Sequence, residues 1–426
     1  MPMQQIRLAA IVAVLVLAAG VVSRSLAQAS TEAVPVWLGS GVTFAALLVC
    51  ARWSWPAVLA GAGLALAGWG MATHALPLRG AVAFGLIEVI SLGTAGWIAT
   101  YGRRDPQSPP GATLLIAGAL AGSALGASLA VELWRWQRPG LDLPVEWRAW
   151  AFSTAAGLLL VGPLAVAFRG FRVRRSGGMP MQQFAAGGLA FVVFIVAVLA
   201  VFSDNAAQRF GGLAPTLAYV PMPLLLATAL LWGPRGGAIA TLLGCLLIIH
   251  RTAAGAGPFN VIEGFPGEAV VEVQGFVIVW ALVMLLGRAL SEGRRTALEE
   301  ARAWRLRYAR TLQAVGVASV EYDAVTGRAT WSEGAAALLG DTIRDVNSVD
   351  EWLDRIDATD RGLVQATWSA VARGDAPDSV QEYAVTLPGS GRLRVHERLA
   401  GIRGADGKVE QVAALLRRAG AEPAHA

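Results

Sequence analysis

Residues 271–290 read VEVQGFVIVWALVMLLGRAL, and residues 291–315 continue as SEGRRTALEEARAWRLRYARTLQAV. The first part is apolar and long enough to cross a bilayer, whose hydrocarbon core takes about 20 helical residues. The second part is rich in Ala, Leu and Arg. It has neither Pro nor Gly between Arg294 and Val315, which favours one continuing helix. Upstream the sequence is membrane-like, and downstream it reads as a small soluble domain. The junction therefore predicts a rod that leaves a membrane bundle and enters a soluble domain.

Composition agrees. Hydrophobic residues make up 55% of the chain and charged residues only 15%. With a mean hydropathy of +0.52, this is the profile of a polytopic membrane protein with an appended domain. The net charge of +5 comes from Arg, since Lys408 is the only Lys. Much of that Arg lies between apolar stretches, where it sets topology, so nucleic acid is not an expected partner. Cys50 and Cys245 both fall within apolar stretches, and His74, His250, His396 and His425 are scattered. Neither a disulfide framework nor a metal site is expected.

Residues 8–22 follow Arg7 and precede Ala27-Gln28-Ala29. They fit a cleavable signal peptide or a first membrane anchor, and the anchor reading is preferred. Further apolar stretches run at about 36–50, 56–72, 80–100, 111–131, 149–168, 184–203, 213–232, 236–250 and 270–290. Ten spans result, or eight if the pairs around Trp53–Pro56 and Trp232–Arg235 merge. The dense Arg169–Arg175 cluster in one short loop places both chain ends in the cytoplasm. Trp53, Trp55, Trp134, Trp136, Trp147 and Trp232 lie where an interfacial aromatic belt is expected.

Two stretches repeat one pattern. Val36–Ala67 and Val220–Ile249 each read as an apolar helix, a Trp/Pro/Arg turn and a Gly/Ala-rich helix. Within them stand the run Trp37-Leu38-Gly39-Ser40-Gly41-Val42-Thr43-Phe44 with Trp55-Pro56, and Pro223-Leu224-Leu225-Leu226 leading to Gly233-Pro234-Arg235-Gly236. Together with Glu88 and Gly255-Ala256-Gly257-Pro258-Phe259, these resemble the first type of membrane-associated sensor domain (the MASE class) of bacterial signalling proteins, over roughly residues 8–290. The resemblance implies a membrane sensor of the kind that precedes PAS domains, histidine kinases or cyclic-dinucleotide enzymes.

On the rod, Leu290, Ala297, Ala301, Trp304, Tyr308, Thr311 and Val315 recur at spacings of three and four after the first gap. This suits a two-stranded coiled coil between subunits, hence a homodimer; one amphipathic helix packed on its own domain is the alternative. From Ala318 the pattern alternates. Strands are expected at 319–323 and 327–331, a short helix at 332–339, helix over 349–372 with a break near 357–361, and three strands at 381–387, 391–402 and 408–416. That order, with Trp352-Leu353-Asp354-Arg355-Ile356 and Asp406-Gly407-Lys408-Val409, resembles a PAS domain over about residues 312–418. The expected fold is thus an all-α polytopic membrane bundle of 8–10 transmembrane helices plus a small α+β PAS-like domain with an antiparallel five-stranded sheet. The expected division is 1–290 membrane sensor, 291–315 signalling helix, 316–420 PAS-like cytoplasmic domain and 421–426 tail.

Candidate ligand-binding or signalling residues follow from charge in lipid and from the resemblance. Glu88 is a carboxylate deep in a span, where an ionised group costs several kcal/mol unless paired or neutral. A protonated Glu88 bonded to Ser91 or to a carbonyl is the plain structural alternative. Trp37 and Ser40 belong to the resembling motif. Arg251, Pro258 and Phe259, with Asn260 and Glu263, are candidates for the mouth of a pocket, though an ordinary polar loop with Gly-Pro turn chemistry is the preferred reading. Glu272 stands near the start of the last span, where a residue that passes a cue to the rod and an ordinary interfacial residue are equal alternatives.

No catalytic site, cofactor or metal is expected. A flavin photosensor's reactive Cys is missing, His396 has no haem-site context, and no Gly-x-Gly-x-x-Gly turn sits between strand and helix. The sequence therefore predicts a multi-pass receptor of the inner (plasma) membrane. It would sense an unknown small-molecule or physical cue and relay it to a cytoplasmic partner in two-component or cyclic-di-GMP signalling. Alternatives are a secondary transporter with a regulatory domain and a shortened histidine kinase or diguanylate cyclase.

Overall fold

In a computed structural model, the described residues are 2–28, 33–137, 140–170, 179–205, 211–260, 267–388 and 391–420. The chain divides into two compact units, Met1–Arg295 and Thr296–Ala426.

The first unit is helical. Its helices are α1 (Pro2–Ser25), α2 (Leu38–Val49), α3 (Trp55–His74), α4 (Leu78–Ala99), α5 (Pro109–Gln137), α6 (Leu143–Phe168), α7 (Met181–Val201), α8 (Pro221–Ala253) and the start of α9 (Glu268–Ala314). Eight helical stretches among the described residues are long and apolar enough to cross a membrane, and α2 is a shorter apolar helix. The protein is a multi-pass membrane protein.

α8 is broken where the sequence predicts a turn. Gly233 adopts φ 68°, ψ −163°, a conformation open to glycine, and Pro234 follows. A Cβ on Gly237 would lie 2.8 Å from the Ala229 Cβ, so the arms 221–232 and 234–253 fold back on each other. The ten stretches read from sequence therefore each correspond to a helical segment. The α2–α3 hairpin repeats the same design, with a 12-residue helix, a turn and a 20-residue helix. At each turn an Arg caps a neighbouring helix C-terminus: Arg52 donates to the Thr100 carbonyl (3.0 Å) and Arg235 to that of Ala167 (3.2 Å). Cations are favoured at that end of a helix. Both hairpins pack on α6.

Helices α1–α6 approach closely through small residues, as is common in lipid. Cβ atoms on Gly41, Gly61 or Gly85 would each overlap a backbone carbonyl of a neighbouring helix, and one on Gly157 would overlap that of Trp37, just before α2. α9 differs: Gly275 and Gly287 face open space, and the helix is held through Val273, Phe276, Val277, Trp280, Met284 and Leu285. It runs unbroken for 47 residues, past the boundary between the two units.

The second unit is α+β. Strands β1 (Val317–Asp323), β2 (Ala329–Trp331), β3 (Asp378–Leu387), β4 (Gly391–Arg403) and β5 (Val409–Arg418) form an antiparallel sheet in the order β2-β1-β5-β4-β3. Between β2 and β3 lie α10 (Ala335–Leu339), α11 (Val349–Leu353) and α12 (Ala358–Arg373). The Asp323 carboxylate accepts from the Val325 and Thr326 amides and closes the β1–β2 turn. Ser348 caps α11 by accepting from the Glu351 amide (3.2 Å). Alternate residues of β1, β4 and β5, among them Val320, Tyr322, Val395, Leu399, Val412 and Ala414, fill the core with Trp352 and Trp368.

Candidate functional site

A cavity of about 400 Å³ opens at the end of the first unit where α9 begins. Its walls come from six different segments of the chain. The segment before α2 supplies Val34 and Trp37; α3 supplies Leu66, Trp69 and His74; α4 supplies Phe84; α5 supplies Trp134. α6 adds Val145, Glu146, Ala149, Trp150, Ser153 and Thr154, and α9 adds Val270, Val271 and Gln274.

The backbone at Trp37 is fixed. Its amide donates to the Ser153 carbonyl (3.0 Å), and the next amide, of Leu38, donates to Ser23 Oγ (2.9 Å). The rings brace one another: Trp37 meets Trp69 at 5.5 Å, Phe84 meets Trp150 at 5.5 Å and Trp134 at 6.1 Å, and His74 meets Trp134 at 5.4 Å. These edge-to-face arrangements are the preferred ones for aromatic pairs.

Gln274 is the polar group of α9 in this cavity and is only 1% exposed. Its Nε2 donates weakly to the Val34 carbonyl at 3.4 Å, and its Oε1 is buried without a partner among the described residues. An unpaired buried acceptor costs about 1–3 kcal/mol, and a ligand donor reaching it would recover that.

Two residues singled out in the sequence meet deeper in the bundle. Ser40 Oγ, on α2, lies 3.0 and 2.9 Å from the Glu88 carboxylate oxygens on α4 and donates to them. Both residues are buried. Ser91 bonds instead to the Glu88 backbone carbonyl (3.2 Å). Trp37 is three residues from Ser40, so the cavity wall and the carboxylate share the start of α2.

The other expected site residues lie elsewhere. Arg251 donates to the Phe202 carbonyl (3.0 Å) and pairs with Asp204 (2.9 Å), joining the end of α8 to that of α7. Pro258 and Phe259 are buried, and Phe259 packs on Phe202 and Phe276. Asn260 bonds the Thr252 and Ala256 carbonyls. Glu263 lies outside the described residues. Glu272 is exposed on α9 and does not line the cavity. Of the six Trp expected at interfaces, Trp53 and Trp136 are strongly exposed, whereas Trp134 is buried in the cavity wall.

The second unit holds a polar group that the sequence reading passed over. Glu397, on β4, is fully buried and accepts from Gln381 Nε2 (2.7 Å) and Trp368 Nε1 (3.3 Å). Burial pushes its carboxyl up to about 7, and hydrogen bonds from Gln381, Tyr383 and Trp368 pull part of the way back. Tyr322 and Tyr383, packed beside it, are held well above the usual phenol range, mainly by burial and then by Glu397.

Three solved structures are similar to about a quarter of the chain. A domain assigned to a light and redox sensing histidine kinase from Haloarcula marismortui is 19% identical, with 26% of this chain and 98% of that one covered, at a TM-score of 0.23. A sensory box histidine kinase/response regulator from Burkholderia thailandensis E264 is 14% identical, with 26% and 84% covered, at 0.23. An RNA-binding light-oxygen-voltage receptor is 21% identical, with 24% and 29% covered, at 0.21. No curated protein matches the chain. The MASE1 family model matches residues 6–294, about two thirds of the chain. With its multi-pass bundle, its repeated hairpins and a cavity walled by six segments, this chain belongs to the MASE1 family of membrane sensors.

Proposed function

We propose that the protein is a receptor that binds a small molecule in the aromatic cavity and passes the event along α9 to the second unit, and from there to a signalling partner. One observation carries this reading: Gln274, whose carbonyl lacks a partner among the described residues, stands on the same unbroken helix that continues to Ala314. A ligand that engages Gln274 in only one position of α9 shifts the helix between two arrangements, because differential affinity is what moves such an equilibrium. α9 suits that role, since at Gly275 and Gly287 nothing lies within 4 Å of a Cβ and its close backbone approach comes only near its exit, at Gly293 against Pro109.

Arg169 just after α6, Arg235 at the break in α8, and Arg288, Arg294 and Arg295 on α9 mark the cytoplasmic face of the inner membrane, so the cavity opens on the other side and the second unit is cytoplasmic. Leu290, Trp304, Tyr308 and Val315 are all exposed, and in a homodimer they form the seam of a coiled coil. Ser40 and Glu88 act as the hinge contact between α2 and α4. The partner is a component of two-component or cyclic-di-GMP signalling, the setting in which such sensor domains stand.

Filling the cavity with a side chain tests the relay without a known ligand. In full-length protein in lipid nanodiscs, Ala149→Trp should alter amide hydrogen exchange across residues 296–314 by about tenfold or more, a coupling of ~1.4 kcal/mol. A change confined to the residues around the cavity would refute the relay.

A further inference from the structure

The cavity's lining also constrains what it binds, granted that it is the ligand site. Its surface is electron-rich. The faces of Trp37, Trp69, Trp134, Trp150 and Phe84 carry the negative lobe of the aromatic quadrupole. Glu146 adds a carboxylate at the start of α6, and Gln274 Oε1 adds a buried acceptor with no donor among the described residues. Among the described residues no Lys or Arg lines this cavity, and His74 is its one basic side chain. Among these residues an anionic ligand would find no permanent cation to pair with, and a purely apolar one would leave Gln274 Oε1 unsatisfied.

We propose that the cavity takes an organic cation, a substituted or quaternary ammonium group attached to an apolar body, with the ammonium held by the aromatic faces and Glu146. An N–H or O–H elsewhere on the ligand would satisfy Gln274 Oε1, which couples recognition to α9. The ammonium can come from a free amine in solution or from the headgroup of a lipid at the bilayer surface; the chemistry of the site is the same for both.

Choline and its uncharged isostere 3,3-dimethylbutan-1-ol separate charge from shape. Binding is measured by calorimetry on the full chain in nanodiscs of phosphatidylglycerol alone. Choline is expected to bind at least tenfold more tightly than the alcohol. Glu146→Gln, which preserves shape and so spares the fold, should weaken choline severalfold and leave the alcohol unchanged. Trp150→Leu should weaken choline as well, with helicity by circular dichroism reporting that the bundle persists. Repeating the titration in phosphatidylcholine nanodiscs distinguishes the sources: unchanged choline affinity points to a free amine, and loss of choline binding to a lipid headgroup already seated. Equal or tighter binding of the alcohol overturns the cation assignment while leaving the cavity a ligand site. Failure of choline to bind in phosphatidylglycerol nanodiscs also overturns it, whatever the outcome of the exchange experiment on Ala149→Trp.

Discussion

Gly157→Ala should cost the membrane unit about 3 kcal/mol or more, the largest effect expected of so small a change. Overpacking a tight interior typically costs about 1–3 kcal/mol, and here the obstacle cannot rotate away. The added methyl would overlap the backbone carbonyl of Trp37, and Gly41 on α2 makes the reciprocal contact with the Gly157 carbonyl. Relief requires α2 and α6 to separate, which would also draw Trp37 out of the cavity wall. Gly68→Ala is the control, because nothing lies within 4 Å of a Cβ there. Glycine inside a helix costs about 1 kcal/mol relative to alanine, so that change should be neutral or slightly stabilising. Thermal unfolding of the purified chain in detergent reads both. Equal midpoints for the two variants would show that the α2–α6 contact is not a close-packed one.

The second large effect concerns pH. Glu397 has an ordinary carboxyl value of 4.5 when exposed and about 7 when folded. Between those values the folded unit holds a proton that the unfolded chain has released. Folding stability must therefore fall as pH rises from about 4.5 to about 7 and then level off; below about 4.5 the group contributes no slope. The shift corresponds to about 3 kcal/mol lost by pH 8. Glu397→Gln keeps the size of the side chain and removes the titration. The variant should show a nearly flat profile across this window and be more stable than the parent at pH 8. Near-ultraviolet circular dichroism of the surrounding Tyr322, Trp352, Trp368 and Tyr383 cluster follows unfolding of this unit. A parent whose stability rises from pH 5 to 8, or a Gln variant with the parent's slope, would contradict the placement of the carboxyl in the core.

Much of the fold was legible because hydropathy and length settle whether a helix crosses lipid. The repeat was legible in the same way, through the Trp/Pro/Arg turns at Trp55-Pro56 and Trp232–Arg235, which the structure shows as matched hairpins. The pairing of Ser40 with Glu88 was not, although each residue was singled out separately, because nothing local links positions on two different helices. The cavity was hidden for a related reason. α3, α4 and α6 are apolar on nearly every face, so no facial asymmetry indicates which side turns inward. Trp134 therefore looked like a belt residue from its place near a helix end. Gln274 did leave a signal, an amide inside the first turns of an apolar span, but the charge of Glu272 two residues earlier drew attention away from it. Glu397 was legible too. It shares the inward phase of Val395 and Leu399 on β4, and an acid in that phase must be buried.

The central claim is that occupancy of the cavity and the position of α9 are coupled. Pulsed electron–electron resonance between spin labels at Trp97→Cys on α4 and Leu286→Cys on α9, both exposed, measures this in the membrane unit itself. Cys50 and Cys245 are replaced by Ala beforehand, and the full chain is held in lipid nanodiscs. Filling the cavity by Ala149→Trp should move the mean distance by about 1–2 Å, the scale of helix shifts in signalling transitions. Superimposable distance distributions, with the same variant shown by thermal unfolding to be folded, would contradict the coupling.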